Sequence, residues 1–494
     1  MSQCIVASLT IMLLSRTVMG DHHSLGTLVY CSDTETPSCA WTDGNGRLIG
    51  RDTMRKVMLT KHRVSEQERD QASQNLMRHA EYIEEVMTYA LSIGYEFPYR
   101  MGVSARHLYE GRKRKHTPQA LVDRVMQAQP SLGSTRRLAD SPTNISIPNN
   151  SPIRALLNWC TKDNPLGRSV CSGVKSQENC GSCWAFAATD AIETAVSVSS
   201  NVSAVALSPQ QLLQCSTRST TQKFKYCWSS DSGVDGAPWL TSEVTWESQN
   251  NGCDGGMTHG AFMDAAQLSI GLVTELKLPY DDTNIGSWRV NATFDVCKVP
   301  AADTAASITG WEQVVGGDCS VSTSASVLLR TALQRQPIAV AINSEDPFND
   351  YKGGFFTCPN NGNFPSKDDL NHALLLVGYG TDPLRGDYWI LKNSYGSNWG
   401  DKGFLKLLAD KKINCGLNVF PVLPTGAKAG ASTAAVDGGG DDRYLSLTSG
   451  AWIAIAIVAS VATVILTAIG LFLVRRRRNA LRQEALGLQM GSGM

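Results

Sequence analysis

Gln177 to Phe186 reads Q-E-N-C-G-S-C-W-A-F and runs directly into Ala187 to Ser199, which is alanine-rich and apolar at helical spacing. The pattern predicts a helix with Cys183 at its N-terminus. Backbone N–H groups without intrahelical partners and the positive end of the helix dipole stabilise a thiolate there, and the thiolate is the nucleophilic form. Any single cysteine is more often a buried structural residue. Parity argues against that here: of 14 cysteines, Cys4 falls in a leading apolar stretch, and full pairing of the remaining 13 leaves one thiol free.

A thiol nucleophile needs a base that takes its proton and later returns it to the leaving amine, work for which histidine is tuned near neutral pH. Between 155 and 424 the chain holds two histidines, His259 and His372. His372 stands near the start of N-H-A-L-L-L-V-G-Y-G, a predicted buried strand, and is the candidate base. His259 sits in the glycine-rich stretch from Gly255 to Gly260 and reads as surface or packing. The imidazole must be held in one tautomer by a third group. Asn393 is that candidate, closing the apolar strand Tyr388 to Leu391 and opening N-S-Y-G-S-N-W-G. For the oxyanion of an acyl-transfer intermediate, the Cys183 backbone N–H supplies one donor and the Gln177 side-chain amide a second.

Taken together and in this order, Q-x-x-C-G-S-C-W-A-F, C-D-G-G, N-H-A-L-L-L-V-G-Y-G and Y-W-I-L-K-N-S-Y-G resemble the papain family of cysteine peptidases, which includes the lysosomal cathepsins. The resemblance covers about 155–424. It implies an α+β fold of two lobes with the site between them: a helical lobe with Cys183 and a barrel-like lobe with His372 and Asn393. It gives Cys183 the role of nucleophile, His372 of base and acid, Asn393 of imidazole orienter and Gln177 of oxyanion donor. Gly255 and Gly256 would pair with an extended substrate backbone. Met257, Thr258, Ala341, Leu370, Asn371, Ala373 and Phe420 would border the specificity pocket, with Trp399 nearby. No carboxylate is among them, so Arg should be rejected, and a bulky Phe420 shortening the pocket should favour Leu or Val over Phe. The same resemblance implies disulfides Cys180–Cys253, Cys215–Cys297 and Cys358–Cys415. Cys160–Cys171 and Cys31–Cys39 are expected as local loops, and Cys227–Cys319 follows by elimination.

Two departures stand out. Cys183 and His372 are 189 residues apart, against about 130 to 150 in the family, and much of the excess lies between Cys215 and Cys253, expected to border the cleft. Tyr395 stands where the family usually has Trp.

The flanks read differently. Residues 1–20 carry an uncharged apolar run, Ile5 to Leu14, ahead of small residues, as in a signal peptide. Sequons at Asn144, Asn149, Asn201 and Asn291 fit glycosylation on export. Residues 21–150 read as a helical inhibitory propeptide: Ser65 with Glu68 caps a helix whose apolar face is Leu76, Ala80, Ile83, Met87 and Ala90, and Thr117 with Pro118 opens another. The peptidase body is 151–424. Residues 425–450, rich in Gly, Ala, Ser and Asp, read as a flexible stalk, and 451–474 are 24 residues without a charge, enough to span a bilayer. Arg475 to Arg478 follow, which places the 475–494 tail in the cytosol and the body outside. The expectation is a single-pass type I protein of the secretory pathway, at the cell surface or on an endolysosomal membrane, a monomer acting on polypeptides and inhibited by its own propeptide.

Composition excludes other classes. The chain is formally neutral, but 151–424 carries 20 Lys and Arg against 26 Asp and Glu, a poor surface for nucleic acid. Cys180 and Cys183 form a C-x-x-C, yet no strand precedes it as in a thiol oxidoreductase, and a single pair is weak for zinc, so neither metal nor cofactor is expected. The alternative from another class is a catalytically silent papain-like binding protein displayed on a membrane.

Overall fold

The helix Cys183–Ser200 is buried at every position from Trp184 to Ser197. Its run of Ala185, Ala187, Ala188, Ala191 and Ala195 combines high helix propensity with small side chains, so other elements pack closely on all sides. It ends at Asn201, whose left-handed backbone (φ 52°) breaks the repeat. Packed on it are the helices Pro209–Cys215 and Thr258–Gln267, which complete a helical lobe, and the strand His372–Asp382 of the second lobe.

The coordinates are a computed structural model that describes residues 25–31, 39–109, 117–128, 154–281, 297–314, 324–358, 366–409 and 414–432, apart from positions 46, 63, 218, 230–232, 235, 268–270 and 346. The proposed leader, the sequons at Asn144, Asn149 and Asn291, Cys319, the apolar run 451–474 and the basic tail lie outside the described residues. Among those described, no helix is long and apolar enough to cross a membrane.

The second lobe is an antiparallel sheet in the order Phe404–Leu408, Gly386–Lys392, His372–Asp382, Ile338–Ile342, Val422–Thr425 and Gly310–Gln313, with Leu157–Asn158 added against His372–Asp382. From His372 to Gly380 every residue is buried, so this strand is covered on both faces. Chain pairing continues past the expected end of the body: Lys428 and Ala429 pair with Ser307 and Ala306, and the Gly430 N–H donates to the Ala305 carbonyl at 2.8 Å. Residues 425–432, read from composition as stalk, are therefore folded, because their backbone groups complete a sheet edge where their side chains contribute little.

Ahead of the body, the hairpin Leu28–Cys31 with Cys39–Thr42 is closed by the Cys31–Cys39 disulfide. The helices Arg51–Lys61, Arg69–Ser92 and Pro118–Ala128 follow. Ser65 and Glu68 make the expected cap contact at 2.7 Å, but the helix proper begins at Arg69 after a turn. Its buried stripe includes Leu76, Ala80, Ile83, Val86 and Ala90, with Val86 rather than Met87 fully inside. This segment docks through Tyr99–Met101, which pairs antiparallel with Tyr351–Gly354 of the body. The Gly102 N–H donates to the Asp350 carbonyl at 2.8 Å, and buried His107 reaches the Asp350 carboxylate through Nε2 at 3.2 Å. His107 Nδ1 accepts the Ser104 N–H, so in the neutral ring Nε2 bears the proton and faces the Asp350 carboxylate. His79 joins them, its ring 4.2 Å from that of His107, and the three buried side chains hold ligand-type atoms within 4.8 Å of one another.

Candidate active site

Three contacts set the approach to the helix carrying Cys183: the Cys180–Cys253 disulfide, the Gly181 N–H donating to the Cys253 carbonyl at 3.0 Å, and Trp184 Nε1 donating to the Gly252 carbonyl at 3.0 Å. They bring the C-D-G-G segment against the helix start. Cys183 is the first helical residue and, among the described residues, the one free thiol; it is half-buried. The other pairs Cys160–Cys171, Cys215–Cys297 and Cys358–Cys415 are formed, and Cys227 is in a disulfide.

His372 opens its strand opposite Ile342, as Ala373 does opposite Ala341. The Ala373 backbone N–H is hydrogen-bonded to the Cys183 sulfur, so the start of the strand and the start of the helix meet at the two candidate residues. His372 Nε2 lies 2.8 Å from Asn393 Oδ1. A carboxamide oxygen can only accept, so Nε2 carries the proton and Nδ1 keeps its lone pair. That oxygen also accepts the Ser394 N–H at 2.8 Å, which holds the amide in the orientation the imidazole requires. Gln177 is buried; its Oε1 accepts from Ser394 Oγ at 2.6 Å and its Nε2 donates to the Cys180 carbonyl at 2.8 Å, with one N–H to spare.

Tyr395 packs its ring 4.7 Å from the imidazole, with its hydroxyl 3.5 Å from Nδ1, and Trp399 stands 5.6 Å behind it. The Arg106 guanidinium of the leading segment lies over Tyr395, 4.3 Å from the ring centroid. Burial lowers the His372 pKa to about 3; the Asn393 bond opposes this and Arg106 adds to it. Burial likewise pushes the Cys183 thiol up, against the Ala373 N–H and the Arg106 charge. With the leading segment in place, burial thus disfavours the charged form of both groups. Arg106 had no signal in the sequence, because its partner is 289 residues away.

The pattern of papain family cysteine proteases matches residues 161–425, more than half of the chain. The chain belongs to the papain family. Cathepsin L1 of Drosophila melanogaster is 31% identical over 278 residues, covering 56% of this chain and 58% of the relative. Digestive cysteine proteinase 3 of Homarus americanus is 32% identical over 277 residues, covering 56% and 67%. The chain thus spans between 58 and 67% of these relatives' own lengths. A solved structure of digestive procathepsin L 3 from Tenebrio molitor larval midgut superposes with a TM-score of 0.49 at 24% identity, over 76% of this chain and 98% of that one.

The papain-family pocket positions fall as follows. Gly255 has φ 112°, open to glycine, and a Cβ on Gly256 would come within 2.9 Å of the Trp184 ring. The Met257 N–H donates to Asn250 Oδ1 at 2.7 Å, and buried Thr258 opens the next helix. Ala341 and Leu370 are half-buried beside buried Ala373, while Asn371 is exposed and accepts the Ser344 N–H at 2.9 Å. Two residues differ from expectation. Trp399 is wholly buried, 4.9 Å from Phe348 and 5.4 Å from Tyr351, and presents no surface to a substrate in this form of the chain. Phe420 is 2% exposed, stacked on Phe224 and edged by Trp246 of the insertion, so it is enclosed rather than open at a pocket floor. His259 is packing, fully buried beside Phe420 and bonded to Thr220 Oγ1 at 3.1 Å. Asn201 is exposed at its helix end and accepts from Arg168 at 3.3 Å.

Proposed function

We propose that this chain is a cysteine-type endopeptidase, made as a zymogen, that hydrolyses polypeptides through an acyl-enzyme intermediate. The observation that carries the reading is the tautomer of His372: Nε2–H is committed to Asn393, and Nδ1 keeps its lone pair on the residue next to Ala373, whose N–H is bonded to the free Cys183 sulfur. Once the leading segment leaves, solvation lets the thiol proton move to Nδ1, forming thiolate and imidazolium. The sulfur attacks the scissile carbonyl. Its oxygen takes the charge toward the Cys183 N–H and the Gln177 amide, and the imidazolium hands its proton to the departing amine. Water, activated by the neutral imidazole, then frees the acyl group and regenerates the thiol.

None of Met257, Ala341, Leu370 and Ala373 carries a carboxylate, which supports substrates with an aliphatic side chain second from the scissile bond on its N-terminal side. Residues 1–20, 451–474 and Arg475 to Arg478 support synthesis into the secretory pathway with the body tethered outside the cytosol. The test is labelling of the trimmed protein by an epoxysuccinyl inhibitor. Stoichiometric modification of Cys183, and loss of peptide hydrolysis in Cys183→Ala, are expected. Undiminished hydrolysis by Cys183→Ala would overturn the assignment, and a protein that neither labels nor cleaves would point to the silent binding role.

A further inference from the structure

Tyr395 stands where the family usually carries Trp, and this exchange brings a phenolic O–H to the base. Its backbone is fixed on both sides: Tyr395 bridges to Ser176, the Gln177 N–H donates to the Ser394 carbonyl at 2.8 Å, and the Gly396 N–H donates to the Lys175 carbonyl at 2.9 Å. The residue is 5% exposed and meets Trp399 and Phe348 edge-on at 5.6 and 6.1 Å. From this seat its ring lies 4.7 Å from the imidazole, tilted by 36°, and its hydroxyl reaches His372 Nδ1 at 3.5 Å.

The donor in that contact follows from the rest of the site. Asn393 Oδ1 takes the Nε2 proton, which leaves Nδ1 a lone pair and no hydrogen, so the Tyr395 hydroxyl donates. The Cys183 thiol needs the same lone pair to pass on its proton. A donor already on Nδ1 stabilises the neutral ring and opposes the imidazolium.

The leading segment holds this arrangement. The Arg106 guanidinium lies over the Tyr395 ring, 4.3 Å from its centroid, where a cation is held by the ring's negative face. Arg106 is itself placed by its neighbour His107, which reaches Asp350 in the turn Phe348–Asp350; Phe348 of that turn meets the His372 ring edge-on at 5.7 Å. Among the described residues, the charged or titratable groups around the imidazole are Cys183 from the helix, Tyr395 from the segment after Asn393, and Arg106.

We propose that Tyr395 is a removable cap on the catalytic base: while the leading segment is in place, Arg106 pins the tyrosine with its hydroxyl on Nδ1, and departure of Arg106 frees that lone pair for the Cys183 proton. Uncapping itself transfers no proton: the hydroxyl exchanges Nδ1 for water, and the thiol proton then passes to Nδ1. The inference rests on the peptidase reading above and adds to it a way of silencing the site beyond covering it. Tyr395 acts through His372 and is a positioning residue.

The experiment follows alkylation of Cys183 by iodoacetamide against pH in the full chain, and again after the leading segment has been removed by an added protease. Initial rates are read while the untrimmed chain is still full length by gel. The reagent reacts with the thiolate, so the midpoint of the profile reports proton transfer to His372 and the alkaline plateau reports access. Tyr395→Phe keeps the ring and removes the hydroxyl. In the untrimmed chain it should lower the midpoint by about 0.5 to 1 pH unit, which raises the rate below the midpoint about three- to tenfold, the scale of one hydrogen bond. After trimming, the midpoints of wild type and variant should converge. Should Tyr395→Phe fail to fold, Tyr395→Trp, which carries the family's usual residue and also lacks the phenolic O–H, should lower the untrimmed midpoint in the same direction. A raised plateau with an unmoved midpoint would mean looser access alone and would overturn the cap, as would a shift of equal size before and after trimming. Alkylation needs no peptide substrate, so a trimmed wild type that cleaves nothing would overturn the peptidase reading while the midpoints still decide the cap.

Discussion

The two lobes are joined in two physically opposite ways. Between them, four charged residues are buried together: Lys392 of the sheet donates to Asp190 of the Cys183 helix at 2.8 Å, and Lys175 bonds Asp190 at 3.2 Å and Glu193 at close range. At the end of the molecule where the insertion lies, the junction is aromatic, with Phe224, Trp246, His259 and Phe420 in one cluster. The charged junction depends on every partner being present, because a buried charge left alone costs more than the pair contributes. The aromatic junction depends on shape, so its losses scale with the void created. The charges also differ among themselves: its two lysine partners hold the Asp190 carboxyl below the usual range, whereas burial raises Glu193.

The largest effect should follow from breaking the charged set. Asp190→Ala leaves Lys392 and Lys175 sharing one carboxylate, and unfolding in urea should show a loss of about 4 kcal/mol. A loss below about 1 kcal/mol would mean the cluster is better solvated than its burial indicates. Phe224→Ala should cost about 3 kcal/mol by opening a void against Phe420. That value should rise with the size of the void found by crystallography, a dependence the charged variant should lack.

Acid should separate the junctions. His259 is held neutral by burial, its pKa lowered to about 4. The unfolded chain takes up a proton first, near pH 6.5, so stability present above that value is lost as the pH falls toward 4. At pH 4.5 this amounts to about 2.5 kcal/mol, measured as the difference in pH dependence between wild type and His259→Gln. Asp190 works in a lower window: its contribution is present above the unfolded carboxylate pKa and fades only as the pH falls through the lowered native value. Equal slopes for wild type and His259→Gln between pH 6.5 and 4.5 would show that His259 is not kept neutral. The smallest effect belongs to the outer face of the insertion, a hairpin of Ser219–Lys225 with Glu243–Gln249. Lys223 and Glu243 lie 2.9 Å apart but 68% and 45% exposed, and Lys223→Ala should change stability by less than about 0.5 kcal/mol.

Much of the sheet lobe and the candidate site could be read from the chain. His372, Asn393 and Cys183 each sit where a periodic run begins or ends, and such ends are set by local features such as a helix start or a strand start. The described disulfides also fell at the expected pairs. The insertion was visible as length but not as structure, although Thr220 and Phe224, Val244 and Trp246 alternate inward as a strand pattern should. What that face covers depends on Phe420, about 200 residues away in the chain. Folded residues 425–432 were misjudged because composition reports side-chain burial, while those residues are held by backbone pairing.

Local chemistry along the chain therefore determined which thiol stays free, which imidazole stands as its partner and which family the fold follows, since each depends on residue type and short spacing. Tertiary structure alone decided the burial of that pair, the enclosure of Phe420 and the placing of Arg106 over Tyr395. Burial and charge at a point in space are sums over whatever the fold brings there, and those contributors are distant in sequence.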